Sequence, residues 1–195
     1  ELGRLLDMLE ESGRLDNTYV VITSDHGELF ERGIRGHVTP TLYDPLVHVP
    51  LIIAKPGQTE RVDVHARTSC VDLVPTFLQL TGQPVPEWTE GQVLPTFGDA
   101  VEDSERAVFS LEAKSNPKHA PLNKATAVIS KGDYKLIHYV NFLETDPDNA
   151  FELYDLTNDP EEMSNIVASK TDVADDLKAE LLGQLEQINQ QTFTG

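Results

Sequence analysis

The sequence predicts an α/β fold in its first half and a small α+β unit in its second. Three observations carry that prediction. Residues 1–24 read as a helix leading into a strand, and the strand stops at a polar cluster, Ser24-Asp25-His26-Gly27-Glu28. A Pro- and Gly-rich stretch, residues 83–98, interrupts the chain near its middle. Beyond it the pattern becomes four short strands, a Gly-centred hairpin and a long amphipathic helix. The division falls near residue 100, giving regions 1–100 and 101–195.

Each element has a local reason. Leu2, Leu5, Leu6 and Leu9 recur at helical spacing, and Gly13 suits the position after a helix end. Residues 19–23 form a β-branched apolar run, the pattern of a buried parallel strand covered by helices on both faces. The polar cluster then lies at the carboxyl end of that strand, where open α/β sheets place ligand sites. Asp25 offers a carboxylate and His26 an imidazole nitrogen. Neighbouring strand residues point to opposite faces, so the two converge on one ion only if the chain turns, as Gly27 allows. The same three residues also fit an ordinary strand-to-loop turn in which Asp25 caps the backbone.

Residues 29–40 read as a loop of mixed charge. Residues 41–47 allow one helical turn, limited by Pro45. Residues 50–54 form a second buried strand, and the alternation at 62–68 predicts a short edge strand. A helix is expected over 71–80, capped by Ser69 or Asp72 and closed by Gly82. Residues 83–98 read as a linker over the surface. Strands follow at 107–111, 125–130, 134–140 and 151–154, with Lys131-Gly132-Asp133 as the hairpin turn. Residues 155–166 are turn-rich, and 171–190 form a helix with Val173, Leu177, Leu181, Leu182, Leu185 and Ile188 on its apolar side.

The chain has 195 residues and a net charge of −18. That charge disfavours nucleic acid, which demands a basic footprint. A small anionic substrate remains compatible with it, because a bound cation inverts the local field. No run approaches the roughly 20 apolar residues of a membrane span. Cys70 is the single cysteine, so no intrachain disulfide forms, and it reads as a small buried hydrophobe. The first residue is Glu1 rather than Met, as expected of a fragment and equally of a chain from which a tag was cleaved.

The ordered series Ser24-Asp25-His26-Gly27-Glu28, then Gly36-His37, then Thr41-Leu42-Tyr43-Asp44, then an apolar run over 47–53, resembles the C-terminal half of a sulfatase of the alkaline phosphatase superfamily. Residues 70–82, 131–139 and 152–166 extend the resemblance over nearly the whole chain. It implies the C-terminal half of an alkaline-phosphatase-like α/β/α sheet, then an antiparallel four-stranded subdomain with a terminal helix. It implies hydrolysis of a sulfate ester, or in a related enzyme a phosphate ester, at a metal-dependent site. By resemblance Asp25 and His26 are metal ligands. His37 reaches the ester oxygens or the leaving group, and Arg35 is the alternative anion contact. Glu28 would support the site or cap the loop, Asp44 would bond backbone or a nearby cation, and His48 would be a packed residue. Ca²⁺ is the metal a sulfatase implies, and the imidazole leaves Mn²⁺, Mg²⁺ and Zn²⁺ open.

The family nucleophile arises from Cys or Ser in a C/S-x-P-x-R motif. Cys70 is followed by Val71-Asp72-Leu73-Val74 and does not fit, so the nucleophile is expected outside this chain. Two readings stay beside the sulfatase one: a phosphodiesterase or phosphonate monoester hydrolase of the same superfamily, and a non-catalytic fragment or binding module. A truncated sheet would also expose strand edges, which predicts self-association.

Overall fold

The computed structural model describes residues 1–37, 40–98, 103–113, 122, 124–142 and 150–191. The chain divides into two compact units. One comprises Glu1–His37 and Pro45–Val64, the other Val38–Asp44 and His65–Gly195.

The first unit opens with helix α1, Leu2–Glu11. The chain leaves α1 through Gly13, whose φ of 67° is cheap only for glycine. Strand β1, Val20–Thr23, pairs antiparallel with β2, Leu51–Ala54, with Val21 opposite Ile53. This corrects the expectation of a buried parallel strand. An apolar run encodes burial, not direction, and here both strands are only partly buried. A short helix α2, Asp44–Val47, lies between them in sequence. Pro45 sits in its first turn, where the missing N–H costs nothing. The edge strand expected at 62–68 does not form. Val62 and Val64 are exposed instead, because an alternating pattern needs a neighbouring strand to become one.

In the second unit the 3-10 turn Cys70–Asp72 runs into helix α3, Leu73–Leu80. The expected cap at Ser69 closes the start of the 3-10 turn, where Ser69 N–H donates to Asp72 Oδ2 at 2.8 Å. Cys70 is exposed, which corrects its reading as a buried hydrophobe. The stretch read as a surface linker is fastened to α3. Asp72 Oδ1 accepts the Gln92 N–H at 3.0 Å, Thr76 Oγ1 accepts the Leu94 N–H at 2.9 Å, and Gln79 Nε2 donates to the Phe97 carbonyl at 2.8 Å. These three side chains occupy successive turns of one helical face, so they bond the passing backbone as a neighbouring strand would. Gly91 is required in this strap, since a Cβ there would lie 2.2 Å from the Val71 carbonyl oxygen.

Strands β3, Val108–Ala113, β4, Ala125–Lys131, β5, Tyr134–Val140, and β6, Phe151–Asp155, form an antiparallel sheet in the order β3-β4-β5-β6. The hairpin falls where expected, with Lys131 opposite Tyr134 and Gly132 at φ 52°. Helix α4, Thr171–Gln191, covers one face. Ala127, Ile129, Leu136 and Leu153 pack there against Ala174, Leu177 and Leu181. The alternate residues Val128, Ile137 and Tyr154 pack on the other face with Leu42 and Tyr43. That second face also holds Lys135, whose buried ammonium lies 2.7 Å from both Asp44 Oδ1 and Glu162 Oε1. Asp44 therefore bonds a cation, as its place in the Leu-Tyr-Asp motif suggested, and that cation is a lysine of β5. Asn165 Oδ1 accepts the N–H groups of Leu153 and Val167, both at 3.0 Å, tying the turn back to β6. Among the described residues no helix is long and apolar enough to cross a membrane.

Candidate metal and anion site

The site grows from the end of β1. Ser24 Oγ donates to the His26 carbonyl at 2.6 Å, and the His26 N–H donates to Asp25 Oδ1 at 3.0 Å. The chain thus turns tightly at the position where a straight strand would have separated Asp25 from His26. Gly27 completes the turn. Its N–H donates to the Leu46 carbonyl at 2.9 Å, and a Cβ would lie 1.8 Å from the Pro45 carbonyl oxygen. No side chain fits there.

Leu29 is fully buried and bridges Gly36 antiparallel, with N–H···O distances of 2.9 and 3.3 Å. Residues 30–35 therefore leave and return as a closed loop. Arg32 at φ 57° and Gly33 at φ 73° make its bend. The closure brings His37 back to the end of β1. Its ring centroid lies 4.1 Å from that of His26, tilted by 34°. His26 Nε2 lies 3.7 Å from Asp25 Oδ2, and His37 Nδ1 lies 3.2 Å from Glu28 Oε2.

The structure brings together Asp25, His26 and His37 from the sequence reading, and Glu28 with them. Arg35 is exposed on the same loop. His48 is exposed, which corrects its reading as a packed residue. The Glu28–His37 contact was missed. Its signal is faint: the two are nine residues apart, and only the Leu29–Gly36 bridge makes them neighbours.

The site's electrostatics follow from these bonds. The His26 N–H, which donates to it, lowers the Asp25 carboxyl below its ordinary value. Asp25 is therefore an ionised, acceptor-only group at neutral pH. His26 Nδ1 lies 2.8 Å from the Gly27 carbonyl, an acceptor, so Nδ1 carries a proton, and in the neutral ring Nε2 then holds the lone pair on the Asp25 side. Some 88% of the Asp25 side chain and 44% of the His26 side chain remain accessible, so both can take a ligand from solvent.

A carboxylate oxygen and an imidazole nitrogen facing each other are suitable donors for a divalent cation. They fit as two members of a larger set, since Ca²⁺ takes about six to eight oxygens and Mg²⁺ an octahedron. Among the described residues no group of three or more His, Cys, Asp or Glu side chains is arranged to hold a metal.

A polar turn at a strand end in an α/β unit, followed by an antiparallel sheet under a terminal helix, is the arrangement of alkaline-phosphatase-like hydrolases. Solved structures agree. One, holding its substrate D-glucosamine-2-N,6-O-disulfate, matches with a TM-score of 0.67 at 32% identity over 97% of this chain and 37% of its own. A phosphonate monoester hydrolase from Silicibacter pomeroyi matches with a TM-score of 0.72 at 30% identity over 98% of this chain and 38% of its own. The Sulfatase family model matches residues 1–83. Arylsulfatase K of Bos taurus is 31% identical over 191 residues, 92% of this chain and 33% of the relative. N-acetylglucosamine-6-O-sulfatase of Bacteroides thetaiotaomicron is 34% identical over 196 residues, 97% of this chain and 33% of the relative. The chain is thus similar to the sulfatase family model over residues 1–83 and to sulfuric ester hydrolases of that family over nearly its whole length. It spans about a third of the length of those relatives.

Proposed function

We propose that this chain contributes part of the active site of a metal-dependent sulfatase acting on a sulfate ester of a sugar. The observation that carries the reading is the convergence of Asp25, His26 and His37 at the end of β1, with His26 Nε2 at 3.7 Å from Asp25 Oδ2 and the imidazole rings 4.1 Å apart. Asp25 Oδ2 and His26 Nε2 would hold the cation, Ca²⁺ by family likeness or Mn²⁺, Mg²⁺ or Zn²⁺. Such an ion supplies Lewis-acid stabilisation of negative charge on the sulfate oxygens. His37 would bond the ester oxygens or the leaving oxygen, with Arg35 as the second anion contact. A sugar sulfate is favoured because one relative is named an N-acetylglucosamine-6-O-sulfatase and one matching structure holds a sulfated glucosamine.

In this reading residues 1–100 are the C-terminal half of the sulfatase α/β domain and 101–195 its subdomain. The nucleophile comes from a segment outside this sequence, because no C/S-x-P-x-R motif surrounds Cys70. A second reading, a phosphonate monoester hydrolase, is favoured by the Silicibacter pomeroyi likeness. The nucleophile of the longer protein separates the two: Cys or Ser in that motif for a sulfatase, Ser or Thr without it for the other.

The test uses the 195-residue chain. Titrated Mn²⁺ should broaden the NMR signals of Asp25 and His26 first, weakly, and Asp25→Asn should abolish the effect. Broadening centred elsewhere would refute the site. An aryl sulfate should not be turned over; turnover that vanishes in Asp25→Ala would place a nucleophile within this chain. Leu2, Leu5, Met8 and Ile52 are exposed, so sedimentation should show association that grows with concentration.

A further inference from the structure

We propose that Glu28 is a positioning residue for His37: it holds the His37 Nδ1–H and so leaves Nε2 as the nitrogen presented to the substrate. This rests on the reading of His37 as a substrate contact. The geometry is Glu28 Oε2 at 3.2 Å from His37 Nδ1. An ionised carboxylate only accepts hydrogen bonds, so the proton in that contact belongs to Nδ1. The other ring nitrogen lies across the imidazole and faces away from Glu28.

An exposed ion pair of this kind ordinarily contributes little, because two flexible side chains must be held in one geometry. Here the backbone does much of the holding. Glu28 precedes the fully buried Leu29, and His37 follows Gly36. The paired bonds of the Leu29–Gly36 bridge fix those two residues to each other. Gly36 has φ 99°, a conformation that side-chain-bearing residues rarely adopt. A Cβ there would also stand 3.5 Å from Glu28 Oε1, within touching distance of the carboxylate. The neighbouring His26 follows the same scheme, with Nδ1 tied to a loop acceptor, the Gly27 carbonyl, at 2.8 Å. The two rings, 4.1 Å apart, thus both anchor through Nδ1 and leave Nε2 clear of that anchoring acceptor. For His26 that nitrogen serves a cation. For His37 it serves an anionic ester, with the ring's orientation set by the Nδ1 contact to Glu28. Orientation by a carboxylate behind the ring is a recurring way to fix an imidazole tautomer.

The experiment reads the tautomer directly. Nitrogen-15 spectra of the imidazoles are recorded on the 195-residue chain at alkaline pH, where both rings are neutral and no metal is added. In the wild type the Nδ1–H form of His37 should exceed the Nε2–H form. In Glu28→Ala the ratio should invert, while His26 stays Nδ1–H. Glu28→Asp, one methylene shorter, keeps the charge but withdraws the acceptor, and should shift the ratio in the same direction. It serves as the second variant where the alanine change disturbs the loop, which the His26 signals would report. A wild-type His37 that is mainly Nε2–H overturns the proposal, and so does a ratio unchanged in both variants. Failure of Mn²⁺ to broaden Asp25 and His26, with the His37 tautomer as expected, would count against the metal-dependent reading and leave the role of Glu28 intact.

Discussion

Asp72 shows what one buried carboxylate does in this chain. It is fully buried and accepts four hydrogen bonds: two from Arg106, both at 2.7 Å, one from Ser69 N–H at 2.8 Å and one from Gln92 N–H at 3.0 Å. Burial pushes its carboxyl up, but the Arg106 fork and the two N–H groups outweigh burial and hold it below the ordinary value of 3.8. A folded-state value below the unfolded one stabilises above the unfolded value and is lost as pH falls through the folded value. Arg106→Ala removes the fork and strands a buried charge, which should cost about 3 kcal/mol at neutral pH. The Gln92 and Ser69 N–H groups then oppose burial without the fork, so the depression weakens and the variant's stability should fall less steeply as pH drops. Urea midpoints of both proteins between about pH 3 and pH 7 check this. Parallel slopes in the two would show that Asp72 is not the group responsible. At the same scale, Asp25, His26 and His37 were legible because a polar turn after an apolar run, and a Gly-His farther on, are local patterns. The Glu28–His37 contact was not, because it depends on how a loop closes.

At the scale of elements, the sheet and α4 separate what periodicity encodes from what it does not. Strands β3 to β6 were visible because each alternates or runs apolar for a few residues and turn residues lie between them. Gly132 marked the hairpin, and the leucines of α4 marked its buried face. The antiparallel pairing of β1 with β2 was not visible, because the same apolar run suits either direction. The strap on α3 was also hidden, since side chains bonding a passing backbone leave no period in that backbone's sequence. Two predictions belong here. Interior strands β4 and β5 are hydrogen-bonded on both sides, whereas β1 has β2 as its one partner among the described residues. Amide exchange should therefore be slower at Leu136 and Ile137 than at Val21 and Ile22; the reverse order would contradict this account of the sheet. Leu181 is 2% exposed between α4 and the sheet, so Leu181→Ala should cost about 3 kcal/mol, read from the urea midpoint. A loss under about 1 kcal/mol would mean that α4 collapses into the gap with little penalty.

For the molecule as a whole, the resemblance to sulfatases was legible because its markers are spread along the chain rather than gathered at the site. Substrate detail was not, because specificity depends on side chains that folding brings together and not on any local pattern. The strap of residues 92–97 on α3 carries a further consequence for the chain as a covalent object. Proline, glycine and exposed polar residues around Thr89-Glu90 are what a protease ordinarily selects. A cut there would sever the backbone but not the bonds at Gln92, Leu94 and Phe97 or the Asp72–Arg106 pair. All of these join α3 or the 3-10 turn before it to residues on the far side of the cut. A chain cut at a single protease site engineered at Thr89-Glu90 should therefore give two fragments that separate under denaturing electrophoresis but migrate together in a native gel. Fragments that part without denaturant would show the strap to be loose. If they hold, this stretch behaves as a clasp rather than a tether, and continuity of the peptide chain there is dispensable once folding is complete.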